Sequence, residues 1–170
     1  MEQKITSHIR KGLFIALILI IVNVVGQLTK LIYEDWYRWI GTAIYIISII
    51  TSTIYFSTQN NQNVNFGILF THSFKATAVI TCILFLYTLI SVYILFPGQI
   101  DHFVQLGVEE AKKQGKTAAE MQEGMVIARK VLVISFLAGG LMINLITGAL
   151  GALLGAAIAK KNPNFNPTQQ

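Results

Sequence analysis

Residues 131–161, VLVISFLAGGLMINLITGALGALLGAAIAKK, restrict the fold more than any other stretch of this chain. The run is apolar for longer than the roughly 20 residues that cross about 30 Å of hydrocarbon. Small residues recur along it at helical spacing. One stripe reads Ser135, Gly139, Thr147, Gly151, Gly155 and Ala159; a second reads Gly140, Asn144, Gly148, Ala152 and Ala156. Lipid tails are as apolar as leucine, so membrane helices associate through close packing, and small residues at this spacing let two backbones approach. Gly139, Gly140, Gly148, Gly151 and Gly155 are therefore the expected helix-packing positions, and this helix is the expected centre of a bundle.

The rest of the composition points the same way. Hydrophobic residues make up 54% of the 170 and charged residues only 12%, against about 25% charged in soluble domains. The net charge of +5 comes largely from Lys and Arg at the ends of apolar runs, where membrane topology explains them better than nucleic acid does. No nucleic-acid partner is expected. The single cysteine, Cys82, lies inside an apolar run and reads as a packing residue.

Four spans are expected, at about 12–30, 39–57, 75–96 and 131–159. The first follows a basic start and superficially resembles a secretory signal. Its apolar run continues to Leu28 without a small-residue cleavage site, so it reads as an uncleaved span. Tyr33, Trp36, Tyr37 and Trp39 gather where aromatic rings with a polar handle favour the headgroup level. STQNNQNVN, with no charge and little to bury, reads as a solvated loop. The stretch from Phe66 to Pro97 is too long for one perpendicular span and divides into an interfacial approach, 66–74, and a span beginning at Lys75, before Pro97 and Gly98 end it.

Between the third and fourth spans, residues 99–130 carry Asp101, Glu109, Glu110, Lys112, Lys113, Lys116, Glu120 and Glu123. Ile100, Phe103, Val104, Val108 and Ala111 share one helical face, and Gly115 is placed to stop that helix. Thr117 and Glu120 have the spacing of a capping box that would start the next. With Met121, Met125 and Ala128 opposite the first arm, an extramembrane helical hairpin is expected. Residues 162–170 read as a disordered tail. Four spans put both termini on one side. Lys4, Arg10, Lys11, Lys160 and Lys161 argue that this side is the cytoplasm, although Lys112, Lys113, Lys116, Arg129 and Lys130 make the long loop basic as well.

Signatures of catalysis are absent from the sequence. There is no GxxxxGK[ST], no GxGxxG after a strand, no HExxH and no CxxC. No catalytic, cofactor-binding or metal-ligating residues are expected, and no cofactor. Asp101 beside His102, and His72 three residues before Lys75, are the only pairs that suggest acid-base or anion chemistry, and anchoring or capping explains them more simply. Asn23, Gln27, Thr77, Thr81, Thr88 and Asn144 are the candidate polar-groove residues within the spans. Interhelical hydrogen bonds, averaging about 0.6 kcal/mol, account for them; a polar groove is the functional alternative.

Asn65-Phe66-Gly67 leading to Phe70, Phe74 and Lys75, the Phe96-Pro97 end, the mixed-charge loop and the final Ala157-Ile158-Ala159-Lys160-Lys161 together resemble a bacterial family of small four-span membrane proteins catalogued as a domain of unknown function. The resemblance covers nearly the whole chain. It implies a bacterial inner-membrane location and carries over no activity or ligand. The expectation is an all-α, polytopic four-helix membrane bundle, non-enzymatic, in contact with the lipid bilayer. It would act by association, as a homo-oligomer or with a membrane-protein partner through the 99–130 hairpin. Gly151→Leu or Gly155→Leu is expected to weaken that association. A small transporter or lipid-handling protein is the alternative.

Overall fold

A computed structural model of the chain describes residues 6–113, 115 and 118–162. Among them the fold is all-α, without strands. It comprises α1 (His8–Leu28), α2 (Asp35–Gln59), α3 (Phe66–Ile90), α4 (Gly98–Lys113) and α5 (Ala118–Ile158). A 3-10 turn, Leu31–Tyr33, joins α1 to α2, and a π-helical turn, Ser91–Leu95, extends α3. Four segments, His8–Leu28, Asp35–Gln59, Phe66–Leu95 and Ile127–Ile158, are long and apolar enough to cross a membrane.

The chain forms two compact units, one within Met1–Leu84 and Ile143–Gln170, the other within Phe85–Met142. In the first, Ile15, Ala16 and Leu19 of α1 meet Tyr45 and Ile49 of α2, Ile80 of α3 and Ala152 of α5. A second cluster joins Phe56, Val64, Leu69, Ala156 and Ala159. Leu69, Ser73, Ala76, Thr77, Ile80 and Thr81 form the buried face of α3, so one continuous helix runs through the expected division at Lys75. The face shows why: its spacing of three and four residues holds across the boundary, and Lys75 lies outside it.

Two helix starts in this unit, those of α1 and α3, are set by side chains. The Ser7 hydroxyl accepts from the Arg10 amide at 3.4 Å, and the Asn65 carboxamide oxygen accepts from the Ile68 amide at 2.9 Å. Such caps satisfy amides that have no partner within the helix. Val64, immediately before the Asn65 cap, is 2% exposed and joins Leu69 in the second cluster, the arrangement of a hydrophobic staple. The loop expected to be merely solvated therefore contributes to the core. Asn61 and Gln62 make its turn at φ 52° and 63°, and the Asn162 amide donates to the Gln62 carbonyl at 2.9 Å.

Between α1 and α2 the expected aromatic belt splits. Trp36 and Trp39 are exposed, whereas Tyr37 is buried and its hydroxyl donates to the Val22 carbonyl at 2.7 Å. Gly26 leaves the space for the Tyr37 ring, which a Cβ there would strike. Cys82, expected as a packing residue, is exposed.

In the second unit, Arg129 of α5 pairs with Asp101 of α4 at 2.9 Å, and the Phe103 and Phe136 rings meet at a centroid distance of 5.4 Å. Ile100 is buried. Gly115, at φ 77°, follows the end of α4 in the left-handed conformation that glycine supplies at helix ends. Lys116, Thr117 and residues 163–170 of the expected tail lie outside the described residues, as do Lys4 and the side chains of Glu120 and Met121.

Candidate functional site

Three features have the geometry to serve a function: the glycine surface of α5, a set of buried hydroxyls, and a cationic end of the first unit. The glycine surface divides in two. Gly148, Gly151, Ala152, Gly155, Ala156 and Ala159 are all buried, so the two stripes merge into one packing face along the last turns of α5. A Cβ on Gly151 would lie 3.2 Å from Ile49 side-chain carbons, and one on Gly155 would lie 2.7 Å from Thr53 Oγ1. On Gly148 it would run into Thr77 and Tyr45. These glycines therefore pack against α2 and α3 of their own chain, and Gly151→Leu or Gly155→Leu would report first on its fold. Gly139 and Gly140, in the second unit, have nothing within 4 Å of the position a Cβ would take.

The hydroxyls lie against that face. Thr53 Oγ1 donates to the Ile49 carbonyl at 2.7 Å and lies 2.6 Å from Ser73 Oγ. The Tyr45 hydroxyl faces the hydroxyls of Thr77 and Thr81, though none of the three reaches full hydrogen-bond geometry. Of the polar residues read from sequence, the structure brings Thr77 and Thr81 together here, both buried. Asn23, Gln27, Thr88 and Asn144 are half-buried; the Gln27 side-chain nitrogen is buried without a partner. Ser73, which extends the Thr77 and Thr81 row by one turn, was hidden by the division of the helix at Lys75.

Of the cationic end, the sequence singles out only His72 and Lys75. Lys11 reads in sequence as an interfacial charge beside Arg10, yet it is 8% exposed. Its Nζ donates to the Ser52 carbonyl at 3.3 Å and lies over the Tyr55 and Phe56 rings at 5.2 and 5.0 Å. His72 stacks on the other neighbour of this ring system, with a 3.6 Å centroid distance to Phe56, and meets His8 edge-on at 6.0 Å. A cavity of about 440 Å³ opens between α1 and α2, lined by Arg10, Lys11, Phe14, Ile18, Ile47 and Ser52 among others. A second of about 440 Å³ is lined by His8, Phe56, Asn65, Thr71, His72 and Lys75 among others. None of the six polar residues named from sequence lines either one.

Catalytic geometry does not emerge from the remaining candidates. Asp101 is engaged by Arg129, and His102 packs edge-on against Phe103 at 5.8 Å. Among the described residues no three His, Cys, Asp or Glu side chains are grouped to hold a metal ion. No family model, curated protein or solved structure matches the chain.

Proposed function

We propose that this chain is a multi-pass integral membrane protein that acts by association, as a homo-oligomer or an accessory subunit, rather than by catalysis. One observation carries the reading: Gly139 and Gly140 leave open space where Gly148, Gly151 and Gly155 are filled by the chain's own side chains. A glycine within a helix is less favourable than alanine by up to about 1 kcal/mol, and in lipid its compensation is close approach by another helix. Exposed Ile134, Leu141 and Met142 flank the pair and offer apolar contact around such an approach. The resemblance to bacterial four-span membrane proteins supports an inner-membrane location, and the 99–130 segment, as a helical hairpin, adds a partner surface.

The test is the mass of the complex recovered from native membranes in a mild detergent. The wild-type chain is expected above monomer mass, and joint Gly139→Leu and Gly140→Leu substitution is expected to return it to monomer while leaving its helical content unchanged. A monomeric wild type would sink the association reading. The lipid-handling alternative is favoured by a different observation, the cation-capped apolar cavity between α1 and α2.

A further inference from the structure

We propose that the groove between α1 and α2 binds one anionic glycerophospholipid, its phosphate held by Arg10 and Lys11 and an acyl chain lying along Phe14, Ile15, Ile18 and Ile47. The groove changes character along its length. At one end stand Thr6, Arg10, Lys11, Thr51, Ser52 and Tyr55; one and two helical turns further along α1, and correspondingly back along α2, the lining is Phe14, Ile15, Ile18 and Ile47, with Ser48 the one polar side chain among them. Lys11 belongs to the first turns of α1, so in a bilayer the charge sits near headgroup depth and the apolar wall extends toward the hydrocarbon. That is the amphiphilic order of a phospholipid. The volume, about 440 Å³, falls in the range of roughly 300–1,000 Å³ that ligand sites occupy.

The charges around the groove select an anion. An ammonium has three donors, and Lys11 uses one on the Ser52 carbonyl. Among the described residues no carboxylate pairs with it: the described acids of the first unit are Glu34 and Asp35, beyond the other end of α1, and Asp35 is engaged by Arg38, while Glu2 lies outside the described residues. A buried charge without a counter-ion is strongly unfavourable, and the faces of Tyr55 and Phe56 offset only part of that. Ser52 contributes a second, independent sign. Its hydroxyl is buried without a partner in a residue that lines the same cavity, and a turn of the side chain about χ1 would let it donate to a phosphate oxygen there. Arg10 is exposed at the mouth, and its guanidinium fork suits bidentate phosphate contact. No acidic side chain lines the groove to receive a choline or ethanolamine cation, so a lipid of net negative charge fits better than a zwitterionic one.

The site is tested by native mass spectrometry of the full chain in detergent, titrated with phosphatidylglycerol, phosphatidylcholine or inorganic phosphate. Phosphatidylglycerol should bind about tenfold more tightly than phosphatidylcholine. Lys11→Met and Arg10→Gln should each remove most of that preference, Lys11→Arg should keep it, and Ile18→Trp, which fills the apolar wall, should weaken both lipids. Inorganic phosphate at millimolar concentration should displace neither. Equal binding of the two lipids, a preference that survives Arg10→Gln, or binding of both lipids undiminished in Ile18→Trp would overturn the proposal; so would displacement by phosphate, which would assign the cations to a free anion. If Lys11→Met fails to fold, exposed Arg10 and the groove-filling variant still decide it.

Discussion

Thr53 of α2 stands where that helix meets α3 and α5. It is fully buried, and since its own hydroxyl proton goes to Ile49, Ser73 is left to donate to Thr53 Oγ1 across the α2–α3 contact. Gly155 of α5 closes the junction, with a would-be Cβ 2.8 Å from Thr53 Cβ and 3.2 Å from the Ile50 Cα. Those are branch and backbone atoms, which cannot swing aside as a side-chain tip could. Gly155→Ala is therefore expected to destabilise the detergent-solubilised protein by about 1–3 kcal/mol from overpacking, less the roughly 1 kcal/mol that alanine gains in helix propensity. Ser73→Ala should cost less, near the average of about 0.6 kcal/mol for an interhelical hydrogen bond in a membrane protein. Denaturant titration checks both; a Gly155→Ala variant as stable as wild type would mean that α5 yields at this contact.

At the scale of elements, α3 depends on how it begins. The Asn65 cap and the Val64–Leu69 staple fix the start of a helix whose first two turns carry Leu69 and Ser73 into the core. Asn65→Ala should cost about 1 kcal/mol and Asn65→Asp little, as expected for a cap that accepts from a free amide. Faster hydrogen exchange at Ile68 and Leu69 in the alanine variant would localise the effect, and unchanged exchange would remove it. The long apolar helices were legible in sequence because their length leaves few other fates, and the small-residue face of α5 because its spacing is helical. Which neighbour each glycine meets was not legible: a four-residue repeat marks a line on a helix and says nothing of what stands opposite, so Gly139 and Gly151 looked alike. Lys11 was illegible for a related reason. A lysine heading an apolar run looks interfacial whether it reaches into water or folds back over Tyr55 and Phe56. Val64 was lost among polar neighbours, although its place before an Asn cap was the available signal.

For the molecule as a whole, the ends of the helices in the first unit constrain topology. The Thr6 amide donates to the Gln59 side chain at 3.2 Å and the Gln59 amide group donates back to the Thr6 hydroxyl at 3.0 Å. Ser57 donates to the Lys160 carbonyl, and the Asn162 amide to the Gln62 carbonyl. The start of α1, the end of α2, the start of α3 and the end of α5 therefore share one end of this unit. Arg10, Lys11, Lys75, Lys160 and Lys161 gather in these segments with no acidic residue among those described there, whereas the α1–α2 turn mixes Lys30 and Arg38 with Glu34 and Asp35. Short segments rich in Lys and Arg are retained on the cytoplasmic side. In a Cys82→Ser background, Glu34→Cys should thus react with a membrane-impermeant maleimide in intact cells, and Asn63→Cys, in the loop that meets the C-terminal end, only after permeabilisation. The reverse pattern would invert the topology and place the Arg10 and Lys11 groove in the outer leaflet. Labelling of both positions in intact cells would mean that the shared end is not held on one side, and the contacts from Thr6 to Gln59 and from Asn162 to Gln62 would then have to form in something other than a spanning bundle.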